Sequence, residues 1–202
     1  MNSCLLCETP IAETPSWKAL VGLEKQTEIC QDCSKKFQRA DIKEVDTTLD
    51  QITSLYTYNE AMREYLHHYK FLQDVALASV FANELCNLLK GNARIVPIPM
   101  HSEKKMDRTF AHVDELLKSA GIPFTHLLEK TGPEAMGEKS KAERLAMAPL
   151  FTLKPGTTVQ SGIYIVIDDI YTTGTTLRHA AIVLKEAGAT RVEAMTLIRA
   201  ER

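Results

Sequence analysis

A chain of 202 residues with 45% hydrophobic composition can bury one full core and carry a small module beside it, but not two ordinary domains. Its 24 basic and 26 acidic residues leave a net charge of −2, which excludes a global attraction to nucleic acid or to an anionic membrane; either would need a local patch. No apolar run reaches the roughly 18–20 residues of a membrane helix, and the opening MNSCLLCETP lacks the basic and long apolar regions of a signal peptide, so the cytoplasm is the expected location.

In chain order, residues 1 to about 40 read as an irregular segment whose scattered apolar residues are too few for a core. Within it stand Cys4-Leu-Leu-Cys7 and Cys30-Gln-Asp-Cys33, two CxxC pairs separated by 22 residues. A reducing compartment disfavours stable disulfides, and this spacing is that of structural tetrathiolate zinc sites. A redox CxxC is the competing reading, although that motif usually comes as one pair beside a βαβ unit. Four thiolates leave no open position on a tetrahedral ion, so such a zinc is structural, and metal binding would supply folding energy that burial cannot. The fifth cysteine, Cys86, lies among apolar residues and reads as an ordinary buried thiol.

Ile52–Tyr58 is rich in β-branched and aromatic residues, and Asn59 is a natural N-cap for a helix over about 60–71. A second helix is expected over 74–90, ending at Gly91. Arg94-Ile-Val-Pro-Ile-Pro predicts a buried strand stopped by Pro97 and Pro99. A helix over 107–120 and a short strand near Thr125–Glu129 follow, and the Gly- and Pro-broken stretch 131–161 reads as a long excursion. Gly162-Ile-Tyr-Ile-Val-Ile then runs into Asp168-Asp169, a helix of about 174–187 ends at Gly188, and Arg191–Ile198 supplies a last strand. Strand, helix, strand predicts an α/β fold with a parallel sheet flanked by helices. The expected organisation is a small module at 1–45 and an α/β domain at 46–202.

The segment IVIDDIYTTGTT places Asp168 and Asp169 at the C-terminal end of a strand, where open α/β sheets bind ligands. The turn that follows, Tyr171, Thr172, Thr173, Gly174, Thr175 and Thr176, opens a helix whose unpaired N–H groups and positive dipole end suit a phosphate. Gly174 lets backbone approach the phosphate oxygens. Because successive strand residues face opposite ways, the two carboxylates should have different tasks, with one or both accepting from ribose hydroxyls. Carboxylates beside a donor loop select a phosphorylated polyol. A plain strand-to-helix turn with solvated acids is the bland alternative. The string is neither a Walker motif nor GxGxxG.

The whole string closely resembles the signature of the type I phosphoribosyltransferases. That resemblance implies that Asp168 and Asp169 hold ribose, that residues 171–176 form the 5-phosphate loop, and that Mg²⁺ joins the pyrophosphate to the sugar hydroxyls of phosphoribosyl diphosphate. The family's pyrophosphate loop follows an earlier strand, which Pro97, Ile98, Pro99, Met100 and His101 match in position.

Joined to the four-cysteine segment, this signature is similar to the ComF family, in its ComFC branch of competence proteins associated with uptake of single-stranded DNA. Further landmarks are Tyr56-Thr-Tyr-Asn, Tyr69-Lys70-Phe71, Val96–Met100 and Lys141-Ala-Glu-Arg144. Three positions depart from the family: Arg108-Thr-Phe-Ala-His112 replaces Arg-Gly-Phe-Asn-Gln, Met136 a usual Gln and Met147 a usual Asn. Each lost polar group can cost on the order of 1–3 kcal/mol where its partner is left buried and unpaired, which weakens the case for catalysis more than for binding. His112 is expected on a helix surface, either solvated or able to give a proton to a leaving group or bind an anion. Lys104, Lys105, Arg108, Lys130, Lys139, Lys141 and Arg144 are candidates for an anion or single-strand path with Phe110 as a stacking ring, although interleaved acids make a solvated mixed face an equal reading.

The resemblance therefore implies a competence protein that binds phosphoribosyl diphosphate with Mg²⁺ and handles single-stranded DNA beside other competence-machinery proteins. Two alternatives stand: an active phosphoribosyltransferase of nucleotide metabolism, or a nucleotide-precursor sensor that docks on a protein partner.

Overall fold

The computed structural model describes residues 3–11, 28–100, 110–131 and 150–200. In chain order the elements are α1 (Gln31–Lys36), β1 (Arg39–Glu44), β2 (Gln51–Thr57), α2 (Glu60–Lys70), a 3₁₀ helix (Val75–Phe81), α3 (Ala82–Leu88) and β3 (Arg94–Pro97). They continue with α4 (His112–Ser119), β4 (Leu128–Lys130), β5 (Phe151–Leu153), β6 (Ile163–Tyr171), α5 (Thr175–Glu186) and β7 (Arg191–Arg199).

The strands β1-β2-β7-β6-β3 form one sheet in that order, and β4 and β5 pair as a separate antiparallel ribbon. Within the large sheet β2, β7, β6 and β3 run parallel, while β1 adds to the β2 edge antiparallel. The α/β architecture with helices on both faces is thus as expected. Arg39–Glu44, which starts at the end of the stretch read as irregular and runs on into residues for which no element is predicted, is the edge strand. Its burial pattern is mostly exposed, so it carries no hydrophobic period and is set by pairing with β2.

Burial on both faces follows from the near-continuous apolar runs of β6 and β7. On one face Ile167, Leu197 and Ile198 pack with Tyr65 and Tyr69 of α2, Leu77 and Phe81 of the 3₁₀ helix, and Leu116 and Leu117 of α4. On the other, Tyr164, Val166, Val192 and Ala194 meet Leu177, Ala180, Ala181 and Leu184 of α5, with Phe151 and Leu128 of the ribbon. Small Ala180 and Ala181, fully covered, let α5 lie close on the sheet. The buried hydroxyls of Ser54 and Thr196, facing each other across β2 and β7, satisfy one another at 2.8 Å.

Asn59 caps α2 as expected, its Oδ1 accepting the Met62 N–H at 3.0 Å. The second helix is not continuous. Its first half is 3₁₀, with Leu77, Ala78 and Phe81 buried and the Leu77 carbonyl accepting from the Tyr65 hydroxyl at 3.1 Å. β3 ends at Pro97, tolerated because β3 is an edge strand; the Thr125 N–H donates to the Ile95 carbonyl on that edge at 2.9 Å. No helix among the described residues is long and apolar enough to cross a membrane.

Candidate functional site

The parallel strands β3 and β6 end side by side, and beyond their C-terminal ends opens a cavity of about 740 Å³. Open α/β sheets offer their ligand crevice at this place. Its floor carries Asp168, Asp169 and Ile170 from the end of β6, and one side carries Ile98, Pro99 and Met100 from the loop after β3. Thr176 reaches it from the first turn of α5, and Asp114 and His126 stand on the α4 side. Lys70, Lys130 and Lys154 bring positive charge to this wall, so the cavity holds both signs.

Strand alternation separates the two carboxylates. Ile167 belongs to the α2 face and Val166 to the α5 face, so Asp169 continues the first and Asp168 the second. Asp169 is accordingly nine-tenths buried and ion-paired through Oδ2 to Nζ of Lys70, the last residue of α2. Asp168 instead accepts the backbone N–H of Asp169 at 2.9 Å. Burial, followed by the neighbouring Asp169 carboxylate, pushes the Asp168 carboxyl up to about 7, against the pull of Lys70 and Lys130. A proton or a cationic group on the ligand side is therefore favourable at Asp168.

The turn after β6 has the geometry a donor loop needs. Gly174 is the N-cap of α5 at φ 75° and has no side chain to cap the first turn, where the Thr175 N–H donates to Thr173 Oγ1 at 3.4 Å. A Cβ at Gly174 would overlap the Tyr171 ring, so glycine is required twice, by conformation and by contact. Thr172, Thr173 and Thr175 are exposed, with the Thr173 and Thr175 hydroxyls 2.9 Å apart. Tyr171 is buried beneath, with the Arg199 guanidinium 4.1 Å over its ring.

Arg178 braces this turn from behind: it donates to the Thr173 carbonyl at 2.8 Å and, through Nε, to Asp46 at 2.8 Å. Asp46 in turn accepts the Thr48 N–H at 2.9 Å, and this hydrogen bond and Arg178 hold its carboxyl below the usual carboxylate range. Neither residue is visible as part of a site in the sequence, because the pair spans 132 positions. Lys70 was a family landmark without a role, and Asp169 is its partner.

Of the other sequence candidates, Pro97 is buried at the end of β3, whereas Ile98, Pro99 and Met100 line the cavity. His101, Lys104, Lys105, Arg108, Lys141 and Arg144 lie outside the described residues, as do Lys139, Met136 and Met147. Two expectations are corrected. Phe110 is not a free stacking ring: it packs on the core, its ring 5.4 Å from Tyr69 and 5.0 Å from His112. His112 is 4% exposed rather than solvated, because it opens α4 beneath those rings, and its carbonyl accepts from the Tyr69 hydroxyl at 2.7 Å.

At the other end of the chain the four cysteine sulfurs of Cys4, Cys7, Cys30 and Cys33 lie within 4.8 Å of one another. A regular tetrahedron with metal–sulfur bonds of about 2.3 Å has edges of about 3.8 Å, and the Cys7 and Cys30 sulfurs are 3.7 Å apart. The cluster can hold one metal ion, and its all-thiolate donor set fits zinc. Cys30 is the N-cap of α1, its sulfur accepting the Cys33 N–H at 3.4 Å, so one helix turn brings the second pair together. Hydrogen bonds from Thr9 pull the Cys7 thiol down to about 6, whereas burial pushes Cys33 well up. Leu5, Leu6 and Ile29 rest this segment on the α2 side of the core.

No family model matches the chain. Among solved structures, the glutamine phosphoribosylpyrophosphate amidotransferase from B. subtilis complexed with ADP and GMP is 21% identical over 65% of this chain and 30% of that one, with a TM-score of 0.43. A hypoxanthine phosphoribosyltransferase from Staphylococcus aureus is 18% identical over 62% of each chain, with a TM-score of 0.35. In sequence the chain is 30% identical to competence protein ComFC of Bacillus subtilis (strain 168), over 97% of this chain and 94% of that protein. It is 31% identical to competence protein ComFC of Streptococcus pneumoniae (strain ATCC BAA-255 / R6), over 97% of this chain and 99% of that protein. With this identity over nearly its whole length, the chain belongs to the ComFC family of competence proteins.

Proposed function

We propose that this protein binds phosphoribosyl diphosphate, or a related 5-phosphoribosyl group, in the cavity at the ends of β3 and β6 and serves DNA uptake as a binding and handling factor. The observation that carries the reading is the juxtaposition of Asp168 and Asp169 with the Gly174-capped start of α5 around one cavity. The carboxylates would accept from the ribose hydroxyls, and the turn at 171–176 would hold the 5-phosphate with N–H groups, hydroxyls and the helix dipole. Ile98, Pro99 and Met100, which line the cavity, would face the diphosphate, and Lys130 and Lys154 would supply charge for it.

Mg²⁺ fits this donor set, since a hard cation takes carboxylate, hydroxyl and phosphate oxygens and few other groups here compete. It would arrive on the diphosphate and sugar oxygens and neutralise charge that the two aspartates would otherwise repel. Zinc on Cys4, Cys7, Cys30 and Cys33 would hold the segment 1–45, leaving 46–202 as the phosphoribosyl-binding domain, with β1 as the strand that ties the two together. Single-stranded DNA and competence-machinery proteins are the partners this reading assigns.

A thermal-shift titration tests the ligand. Phosphoribosyl diphosphate with Mg²⁺ at about 100 times its dissociation constant should stabilise the fold by about 2.7 kcal/mol. Ribose 5-phosphate should give less and ribose nothing. Equal shifts for all three would contradict the reading. Binding of labelled single-stranded DNA that falls with salt and with Lys141→Ala and Arg144→Ala tests the partner.

A further inference from the structure

Resting on the phosphoribosyl reading above, we propose that Asp46 and Arg178 are positioning residues for the 5-phosphate. They hold the Thr173–Gly174 peptide with its N–H turned to the ligand. The end of the edge strand β1, with the loop after it, is on this proposal a determinant of the site's preference for a phosphorylated sugar. An ion pair that merely stabilised α5 would leave that preference alone.

The support starts at the sheet edge. Glu44 ends β1 and Asp46 follows in the loop, with Val45 between them 80% exposed, so alternation sends the two carboxylates the same way. Each holds one arginine. Glu44 accepts from Nη2 of Arg199, the last residue of β7, at 2.8 and 2.9 Å, and Asp46 accepts from Nε of Arg178 at 2.8 Å. The two guanidinium groups meet at Tyr171, where Arg199 lies over the ring and Arg178 Nη2 donates to the hydroxyl at 3.4 Å. That ring fills the space beneath Gly174 that a Cβ would need. The Thr48 N–H bonds the other Asp46 oxygen at 2.9 Å, so the brace is itself fixed.

The last link is the peptide itself. Arg178 Nη1 donates to the Thr173 carbonyl at 2.8 Å, so all three guanidinium nitrogens are engaged, at Asp46, Tyr171 and Thr173. A trans peptide sets its N–H opposite its carbonyl, so the Gly174 N–H points away from Arg178 and meets no acceptor among the described residues. Glycine takes either sign of φ, so without the guanidinium this peptide can turn over at little cost and present its carbonyl oxygen instead. An N–H donates to a phosphate, whereas a carbonyl oxygen repels it. With the donor aimed before the ligand arrives, binding spends no free energy on ordering the turn.

The test uses the full chain with phosphoribosyl diphosphate and Mg²⁺, reading affinity by calorimetry and the Gly174 amide by NMR, at a temperature where each variant is folded. In wild type the ligand should move the Gly174 amide proton downfield as it bonds a phosphate oxygen. Arg178→Lys keeps the positive charge but loses the three-way fork. It should lower affinity about 10-fold or more, as loss of a hydrogen bond to a charged group does, and should abolish the Gly174 shift. Asp46→Ala, which frees the guanidinium to swing away, should do the same and decides the matter where Arg178→Lys does not fold. A merely structural ion pair would lower the melting temperature and move neither readout. Affinity within twofold of wild type, or a Gly174 amide that still shifts as in wild type, overturns the positioning role and leaves the ligand reading standing. Failure of wild type to bind the diphosphate removes both.

Discussion

The two ends of the molecule are organised by opposite means. The cysteine cluster gathers four identical ligands from two short local motifs, with few apolar side chains resting on the core. The cavity gathers unlike groups from β3, β6, α2, α4 and α5, each placed by a sheet buried on both faces. On the proposal above, the first would depend on an ion for its folding, whereas the second depends on packing and would need a ligand only to act. Chemistry at the cavity should thus survive damage to the cysteine segment, and the reverse.

Removing one thiolate breaks the first region most. Cys30→Ser should release the metal, whose binding is worth roughly 10–16 kcal/mol in comparable zinc peptides, and should melt residues 3–11 and 28–37 while the sheet keeps its cooperative transition. Metal content by mass spectrometry and hydrogen exchange read the two parts separately. A single transition that loses both would merge what the comparison separates.

In the cavity, the double change Asp168→Ala with Asp169→Ala should lower phosphoribosyl diphosphate affinity at least about 100-fold, near 2.7 kcal/mol, with the fold retained. Next in size, Gly174→Ala should destabilise the domain by about 1–3 kcal/mol and weaken binding, since the new Cβ must move Tyr171 or the turn. Denaturant unfolding with and without ligand measures both.

The smallest effect is electrostatic and has a definite sign. Folding raises the Asp168 carboxyl from its ordinary value of 3.8 to about 7, so the native state holds more protons than the unfolded chain between these values. Stability contributed by the protonated form is present below about pH 4 and falls as pH rises towards 7. Asp168→Asn should remove that loss and raise stability above pH 7 by about 1–2 kcal/mol, while weakening ligand binding. A variant no more stable than wild type at pH 8 would count against a desolvated Asp168.

What was legible in the sequence is what lies close along it. The run IVIDDIYTTGTT encodes strand, carboxylates, turn and helix start in one stretch, and Asn59 announces α2. The CxxC pairs are legible because metal geometry fixes spacing. What was not legible depends on tertiary placement. Lys70 reaches Asp169, Arg178 reaches Asp46, and Asp114 meets His126 only because the sheet brings their elements together. Arg39–Glu44 has no hydrophobic period because it is an exposed edge, and His112 looked solvated because the rings that cover it belong to Tyr69 and Phe110.

Calorimetric titration of phosphoribosyl diphosphate and Mg²⁺ into three proteins, wild type, the double aspartate variant and Cys30→Ser, tests the central claim most directly. The account predicts one-site binding to wild type, none to the double variant, and binding within a few-fold of wild type for Cys30→Ser. Equal affinity in wild type and the double aspartate variant would contradict it.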